Sequence, residues 1–135
     1  MERQSFDGVS FETDHRLRMR VVWTGEIDVD AARAMQRYAA TCRAQLEDDE
    51  HLTCIVPAGE AATMSKDARL ILTKFRDQQL WQRIGVTGAR FAVRVSLELL
   101  MRALTAMRRE TADIAFFETE EEAIAWLEKP CPASP

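Results

Sequence analysis

The sequence predicts a mixed α/β domain with about four helices and a mostly parallel sheet of about five strands, led by an antiparallel hairpin. Two N-terminal segments alternate apolar and polar residues, which is the period of a half-buried strand. Short apolar segments then alternate with helical patterns, which implies crossover connections between parallel strands. The chain of 135 residues is 47% hydrophobic and 30% charged, as expected of a soluble folded domain.

The predicted elements follow one another with short connections. Residues 9–14 and 17–23 alternate apolar and polar side chains and are expected to form the hairpin. Asp28 is the predicted cap of a first helix. The apolar residues of this helix, at steps of three and four, are Ala32, Met35, Ala39, Cys42 and Leu46. The later elements are strands at 52–56, 83–88 and 113–118 and helices at 65–80, 89–109 and 119–129.

Length and composition restrict the class of protein. The chain is long enough for one domain, which we place at residues 1–129, with a flexible proline-rich tail at 130–135. A net charge of -4 argues against a nucleic-acid partner. No apolar segment approaches the roughly 20 residues of a membrane span, and none resembles a signal peptide, so we expect a cytoplasmic protein without an integral membrane segment. Three cysteines without a CxxC pair indicate reduced thiols.

The residues of common catalytic and metal sites are sparse. His15 and His51 are the only histidines, and the spacing of neighbouring residues supplies no further metal ligands. We therefore expect no metal and no catalytic residues. Gly88 and Arg90, at a strand-to-helix turn, form a candidate anion site, although Gly88 is also explained by the turn alone. An enzyme that holds an anionic substrate there is the weakest alternative.

The predicted helix at 89–109 is apolar over an unusually wide arc of roughly 200°. Its charged residues Arg94, Glu98 and Arg102 share the remaining arc, which is typical of a solvated outer face. The wide arc has two explanations. Either the helix is sandwiched between neighbouring elements, or one flank meets a partner subunit in a homodimer or an apolar ligand. The residues of that flank are Leu97, Leu100, Met101 and Leu104.

Three segments carry a family resemblance. They are "SKDARLILTKF", "RIGVTGARF" and "DIAFFETEEEAIAWL", and the most specific is the last, with its two aromatics Phe116 and Phe117 before the final helix. Together with the order of elements over residues 5–128, they resemble the SpoIIAA-like group of the STAS superfamily of bacterial cytoplasmic domains. The resemblance implies an open α/β sheet with helices largely on one side, no cofactor, and action by binding a protein partner.

The same resemblance bears on Ser65. In the best understood relatives, the pattern Asp-Ser-Ser-Gly opens the helix after the third strand, and its second serine is phosphorylated. Alignment places Ser65 on the first serine, Lys66 on the phosphorylated one and Asp67 on the glycine. The usual phosphoswitch is therefore not expected. Ser65 is predicted to cap the helix by accepting a bond from the amide of Asp67 or Ala68, and its phosphorylation is the alternative.

The combined prediction is a non-enzymatic regulatory or protein-interaction module. Its expected contact surface consists of Thr63, Met64, Ser65, Lys66 and Arg69. The alternative is a carrier of an apolar small molecule or lipid, because the SpoIIAA-like group resembles lipid-binding CRAL-TRIO domains in overall fold. The methionines Met64, Met101 and Met107 would suit an irregular apolar ligand.

Overall fold

A computed structural model of the chain describes residues 3–15, 18–47, 50–73, 83–88, 94–95, 98–99, 102 and 113–129. The strands are β1 (Gln4–Ser5), β2 (Val9–His15), β3 (Arg18–Trp23), β4 (Glu26–Ile27), β5 (Thr53–Pro57), β6 (Thr63–Met64), β7 (Arg83–Thr87) and β8 (Asp113–Phe117). The helices are α1 (Val29–Ala44), α2 (Lys66–Thr73) and α3 (Glu120–Leu127). Six strands form one sheet in the order β1-β2-β3-β5-β7-β8, and β4 and β6 form a second, two-stranded sheet.

The pairing of the strands confirms the predicted fold class. β2 and β3 form the antiparallel hairpin, with Val9 opposite Trp23 and Phe11 opposite Val21. β3, β5, β7 and β8 are parallel neighbours. Three strands were not predicted, namely β1, β4 and β6. Each is only two residues long, which is too short to show a period.

Helix α1 begins and packs as its sequence predicts. The Oδ1 atom of Asp28 accepts a hydrogen bond from the Ala31 amide at 2.8 Å, which caps the helix. The predicted apolar positions within the helix are all buried, namely Ala32, Met35, Ala39 and Cys42. The helix ends at Ala44, so Leu46 lies beyond it and packs against the core from the following turn.

Parts of the later predicted helices lie outside the described residues. Helix α2 is described as far as Thr73, so its predicted continuation over 74–80 is outside. Of the predicted helix at 89–109, the structure describes helical backbone at residues 94–95, 98–99 and 102. The predicted tail at 130–135 is outside as well, and the single-domain boundary at residue 129 stays a prediction.

The sheet is covered by helices on both faces. On one face, α1 and α2 pack over a core that includes Phe11, Met19 and Trp23. On the other face, Ala123 and Leu127 of α3 pack against Ile55 of β5, which is fully buried. Successive side chains of a strand point to opposite faces of the sheet. Because helices cover both faces, β5 carries apolar side chains on both.

Charged side chains of the sheet hold α3 in place. Arg20 donates two hydrogen bonds to the Glu120 carboxylate, at 3.1 and 2.7 Å. Arg18 pairs with Glu128 at the other end of the helix, at 3.2 Å. The Nη1 atom of Arg83 donates to the carbonyls of Trp126 and Lys129, which satisfies acceptors at the C-terminal end of α3. Strands β3 and β7 therefore fix both ends of the final helix.

Candidate interaction site at the carboxyl edge of the sheet

The carboxyl ends of the parallel strands meet at one edge of the sheet, which we call the carboxyl edge. The chain continues to pair beyond the strand ends there. The Gly59 amide donates to the Trp23 carbonyl at 2.8 Å, and the Ala58 amide donates to the Thr87 carbonyl at 2.9 Å. The segment after β5 is thereby held between β3 and β7, and it leads directly into Thr63.

The backbone at Thr63 and Met64 is fixed by the small β4–β6 sheet. Thr63 donates its amide to the carbonyl of Gly25 at 3.0 Å, and Ser65 donates to the carbonyl of Ile27 at 3.1 Å. Beneath this pair lies Trp23, which is buried. Its indole N–H is 2.9 Å from the carbonyl oxygens of both Gly25 and Thr63. The predicted surface thus begins on a paired strand.

The predicted site residues lie together but differ in exposure. Thr63 and Lys66 are exposed, whereas Met64 and Ser65 are half-buried. The Oγ atom of Ser65 accepts a hydrogen bond from the Ala68 amide at 3.0 Å, so the predicted helix cap is confirmed. Arg69 is the fourth residue of α2, and its side chain is outside the described part of the structure.

Leu70 belongs to the same exposed surface and was missed by the sequence analysis. Its side chain is 44% exposed, although leucine is usually buried. The exposure of Leu70 was predictable from the sequence, because Leu70 follows Lys66 by four residues and therefore shares its face of the helix. Ala68, on the opposite face, is fully buried. The outward face of α2 therefore carries a cation and an aliphatic side chain one turn apart.

Gly88 belongs to the predicted anion site, but the backbone conformation alone explains why this residue is a glycine. Its φ is 69°, and a Cβ atom there would lie 2.8 Å from the carbonyl oxygen of Ala58. A side chain is excluded by both the left-handed conformation and the close approach. Arg90, the other residue of that site, lies outside the described residues, so the anion site stays a prediction.

The predicted apolar flank is also outside the described residues, which include none of Leu97, Leu100, Met101 and Leu104. The residues of the same segment that the structure describes give information about this flank. Arg94, Glu98 and Arg102 are exposed, as expected of the outer arc. Leu99 is 50% exposed. Arg94 lies over the Phe116 ring, 5.1 Å from its centroid, and so connects this segment to β8.

No three His, Cys, Asp or Glu side chains of the described part lie close enough together to bind a metal ion. The helices described are all too short or too polar to pass through a lipid bilayer.

Comparison with protein families decides the classification. The family model for SpoIIAA-like proteins matches residues 18–128, which span β3 to α3. The chain belongs to the SpoIIAA-like family. The resemblance found in the sequence is thereby confirmed, and the chain is a STAS-like module. This SpoIIAA-like domain carries β1 and β2 ahead of the matched residues. No curated protein and no solved structure matches the chain significantly.

The strand order of the SpoIIAA-like domain indicates what its carboxyl edge can do. Open α/β sheets bind nucleotides in the crevice where the strand order reverses. Among the described strands, β3, β5, β7 and β8 follow one another in chain order without a reversal. Among the described strands, the carboxyl edge therefore lacks a crevice of this kind.

Proposed function

We propose that this SpoIIAA-like domain is a cytoplasmic regulatory or protein-interaction module that acts by binding and not by catalysis. The residues proposed to contact the partner are Thr63, Met64, Ser65, Lys66 and Arg69. One observation carries the proposal. The backbone of Thr63 and Ser65 is held by hydrogen bonds from two directions, while the side chains of Thr63 and Lys66 are exposed.

A fixed backbone favours recognition because little conformational entropy is lost when a partner binds. Ser65 contributes mainly to this rigidity, since its hydroxyl already accepts the Ala68 amide. Lys66, the next residue, presents a cation where the resemblance places the phosphorylated serine. We therefore propose that charge on Lys66, and not a phosphate, determines partner choice. Phosphorylation of Ser65 is the alternative mode of regulation.

The proposal is tested by capturing the tagged chain gently from its own host and quantifying the bound proteins by mass spectrometry. Lys66→Glu reverses the charge of the surface and is expected to abolish the enrichment of a defined partner. The matched control is Lys129→Glu, because Lys129 is also exposed but follows α3 on the other face of the sheet. Identical partner profiles for the wild type, Lys66→Glu and Ser65→Ala would refute the proposal.

A second candidate function is an apolar-ligand or lipid carrier, and the half-exposed side chain of Leu99 favours it. This leucine adjoins the predicted flank of Leu97, Leu100, Met101 and Leu104, which would line the ligand site or a homodimer contact. Extraction of the purified protein with organic solvent, followed by mass spectrometry, tests the carrier. A stoichiometric apolar molecule would support it, and an extract without one would refute it.

A further inference from the structure

Helices α1 and α2 expose cations on one face of the sheet. Arg33 and Arg37 are one turn apart on α1, and Lys66 opens α2. All three side chains are exposed, and none forms an ion pair with another described residue. These three exposed cations belong to a chain whose overall charge is -4.

The two helices form one continuous outer surface. They pack side by side, and the amide of Gln36 donates to the carbonyl of Ile71 at 3.3 Å. Leu70, one turn after Lys66 on α2, is exposed as well. Two exposed carboxylates, Asp30 and Asp67, lie in the first turns of the helices, where they also favour the helix dipoles. We call Arg33, Arg37, Lys66 and Leu70 the basic surface.

The opposite face of the sheet carries the complementary charge. Glu118, Glu121 and Glu122, around the start of α3, are all exposed, and we call them the acidic surface. None of the three forms an ion pair with a described residue, whereas Glu120 beside them is engaged by Arg20. Ala125 follows one turn later and is also exposed, so a small side chain borders the acids.

The basic and acidic surfaces lie on opposite faces of the sheet and therefore cannot meet within one chain. We propose that the basic surface of one chain binds the acidic surface of a second copy, with Leu70 packing beside Ala125. Such a contact joins unlike surfaces, so it is head-to-tail, and each new copy leaves both surfaces available at the ends of the assembly. This proposal shares Lys66 with the partner contact at Thr63, but it depends chiefly on Arg33 and Arg37, which the partner contact does not use.

Screening by salt gives the first test. Sedimentation of the full chain is compared at about 20 mM and about 500 mM salt, where the screening length is roughly 20 Å and 4 Å. At low salt, the average mass is expected to exceed that of one chain and to rise with protein concentration. At high salt, it is expected to return to that of one chain. A single-chain mass in both conditions, or an assembly indifferent to salt, would overturn the proposal.

A mixing experiment tests the head-to-tail geometry. The double variant Arg33→Gln with Arg37→Gln removes two of the three cations of the basic surface, and Glu118→Gln with Glu121→Gln removes two of the three carboxylates of the acidic surface. Each variant alone is expected to remain a single chain at low salt. An equimolar mixture retains one intact pair of surfaces and should form a complex of two chains that grows no further. Failure of the mixture to pair, while the wild type assembles, would refute the contact.

Thermal unfolding followed by circular dichroism checks that both double variants are folded, which is expected because all four substituted residues are exposed. The same variants separate the two proposals. They leave Lys66 unchanged, so a host partner bound at Thr63 and Lys66 should still be captured even when self-association is lost. Conversely, a chain without any host partner can still assemble with itself.

Discussion

Trp23 determines the geometry of the candidate site more than any exposed residue, because its indole N–H is shared between the carbonyls of Gly25 and Thr63. Trp23→Phe removes this hydrogen bond and shrinks a buried ring. We expect the free energy of unfolding to fall by on the order of 2 kcal/mol. Amide hydrogen exchange at Thr63 and Ser65 should also accelerate. Chemical denaturation measures the first effect, and exchange followed by NMR measures the second.

The control is Trp126→Phe. Trp126 is half-buried on the opposite face, where its ring contacts Phe117 and Arg83. This substitution should cost less stability and leave exchange at Thr63 unchanged. If Trp23→Phe destabilises the protein without any change of exchange at Thr63 and Ser65, the indole does not organise the site.

Gly88 is the second residue whose identity the backbone requires. Gly88→Ala places a side chain at φ 69° and within 2.8 Å of the Ala58 carbonyl oxygen. We expect a loss of at least about 1–2 kcal/mol in the free energy of unfolding. Gly59→Ala is the matched control, because its Cβ would have ordinary contacts, the nearest at 3.6 Å from the Trp23 carbonyl oxygen. Equal stability of the two variants would contradict this explanation of Gly88.

At the scale of elements, α3 depends on the ion pair between its first residue and β3. Hydrogen bonding from Arg20 lowers the pKa of the Glu120 carboxyl below its ordinary value of 4.5, although burial opposes the shift. A carboxyl whose pKa is lower in the folded state stabilises the protein above its unfolded pKa. That stabilisation is lost as the pH falls through the folded pKa.

Glu120→Gln should therefore lower the free energy of unfolding at neutral pH by about 0.5–1 kcal/mol, a small effect because the pair is partly exposed. The difference from the wild type should shrink as the pH falls below about 4.5. Urea denaturation at a series of pH values measures it. Glu121→Gln, in the same turn but without an ion pair to a described residue, should show no such dependence. A difference between the wild type and Glu120→Gln that persists at low pH would exclude the ion pair as its cause.

Elements with a strong period or cap were predictable from the sequence, and those fixed by distant partners were not. The β2–β3 hairpin and the caps at Asp28 and Ser65 rest on local patterns. The two-residue strand β6 forms only because β4, far away in sequence, pairs with it. The ion pair between Arg20 and Glu120 joins residues 100 positions apart, so no local sequence pattern predicts it.

The same distinction holds for the candidate site. The sequence placed Thr63, Ser65 and Lys66 together because they are neighbours along the chain. It did not predict that Trp23 supports them, since this contact arises only when β3 and β5 pair side by side. The exposed side chain of Leu70 was readable from helical spacing, but the cations of α1 that border it depend on the packing of two helices.

At the scale of the whole molecule, the sheet couples two separate clusters of apolar side chains, and Ile55 on β5 contributes to the second while its neighbour Cys54 contributes to the first. Because one strand belongs to both, neither cluster should unfold alone. We expect a single cooperative transition, with equal calorimetric and van't Hoff enthalpies. A second transition in calorimetry would show that α3 and its cluster form an independent unit.

Truncation tests where this cooperative unit ends. Deletion of residues 130–135 makes Lys129 the C-terminus, and its carboxylate still offers Arg83 an acceptor, so the melting temperature should not fall. Deletion from residue 120 onward removes Ala123 and Leu127 and exposes the fully buried Ile55, so the remaining chain should melt at a much lower temperature or fail to fold. A clear loss of stability on deletion of 130–135 alone would place those residues within the folded domain and move its boundary beyond residue 129.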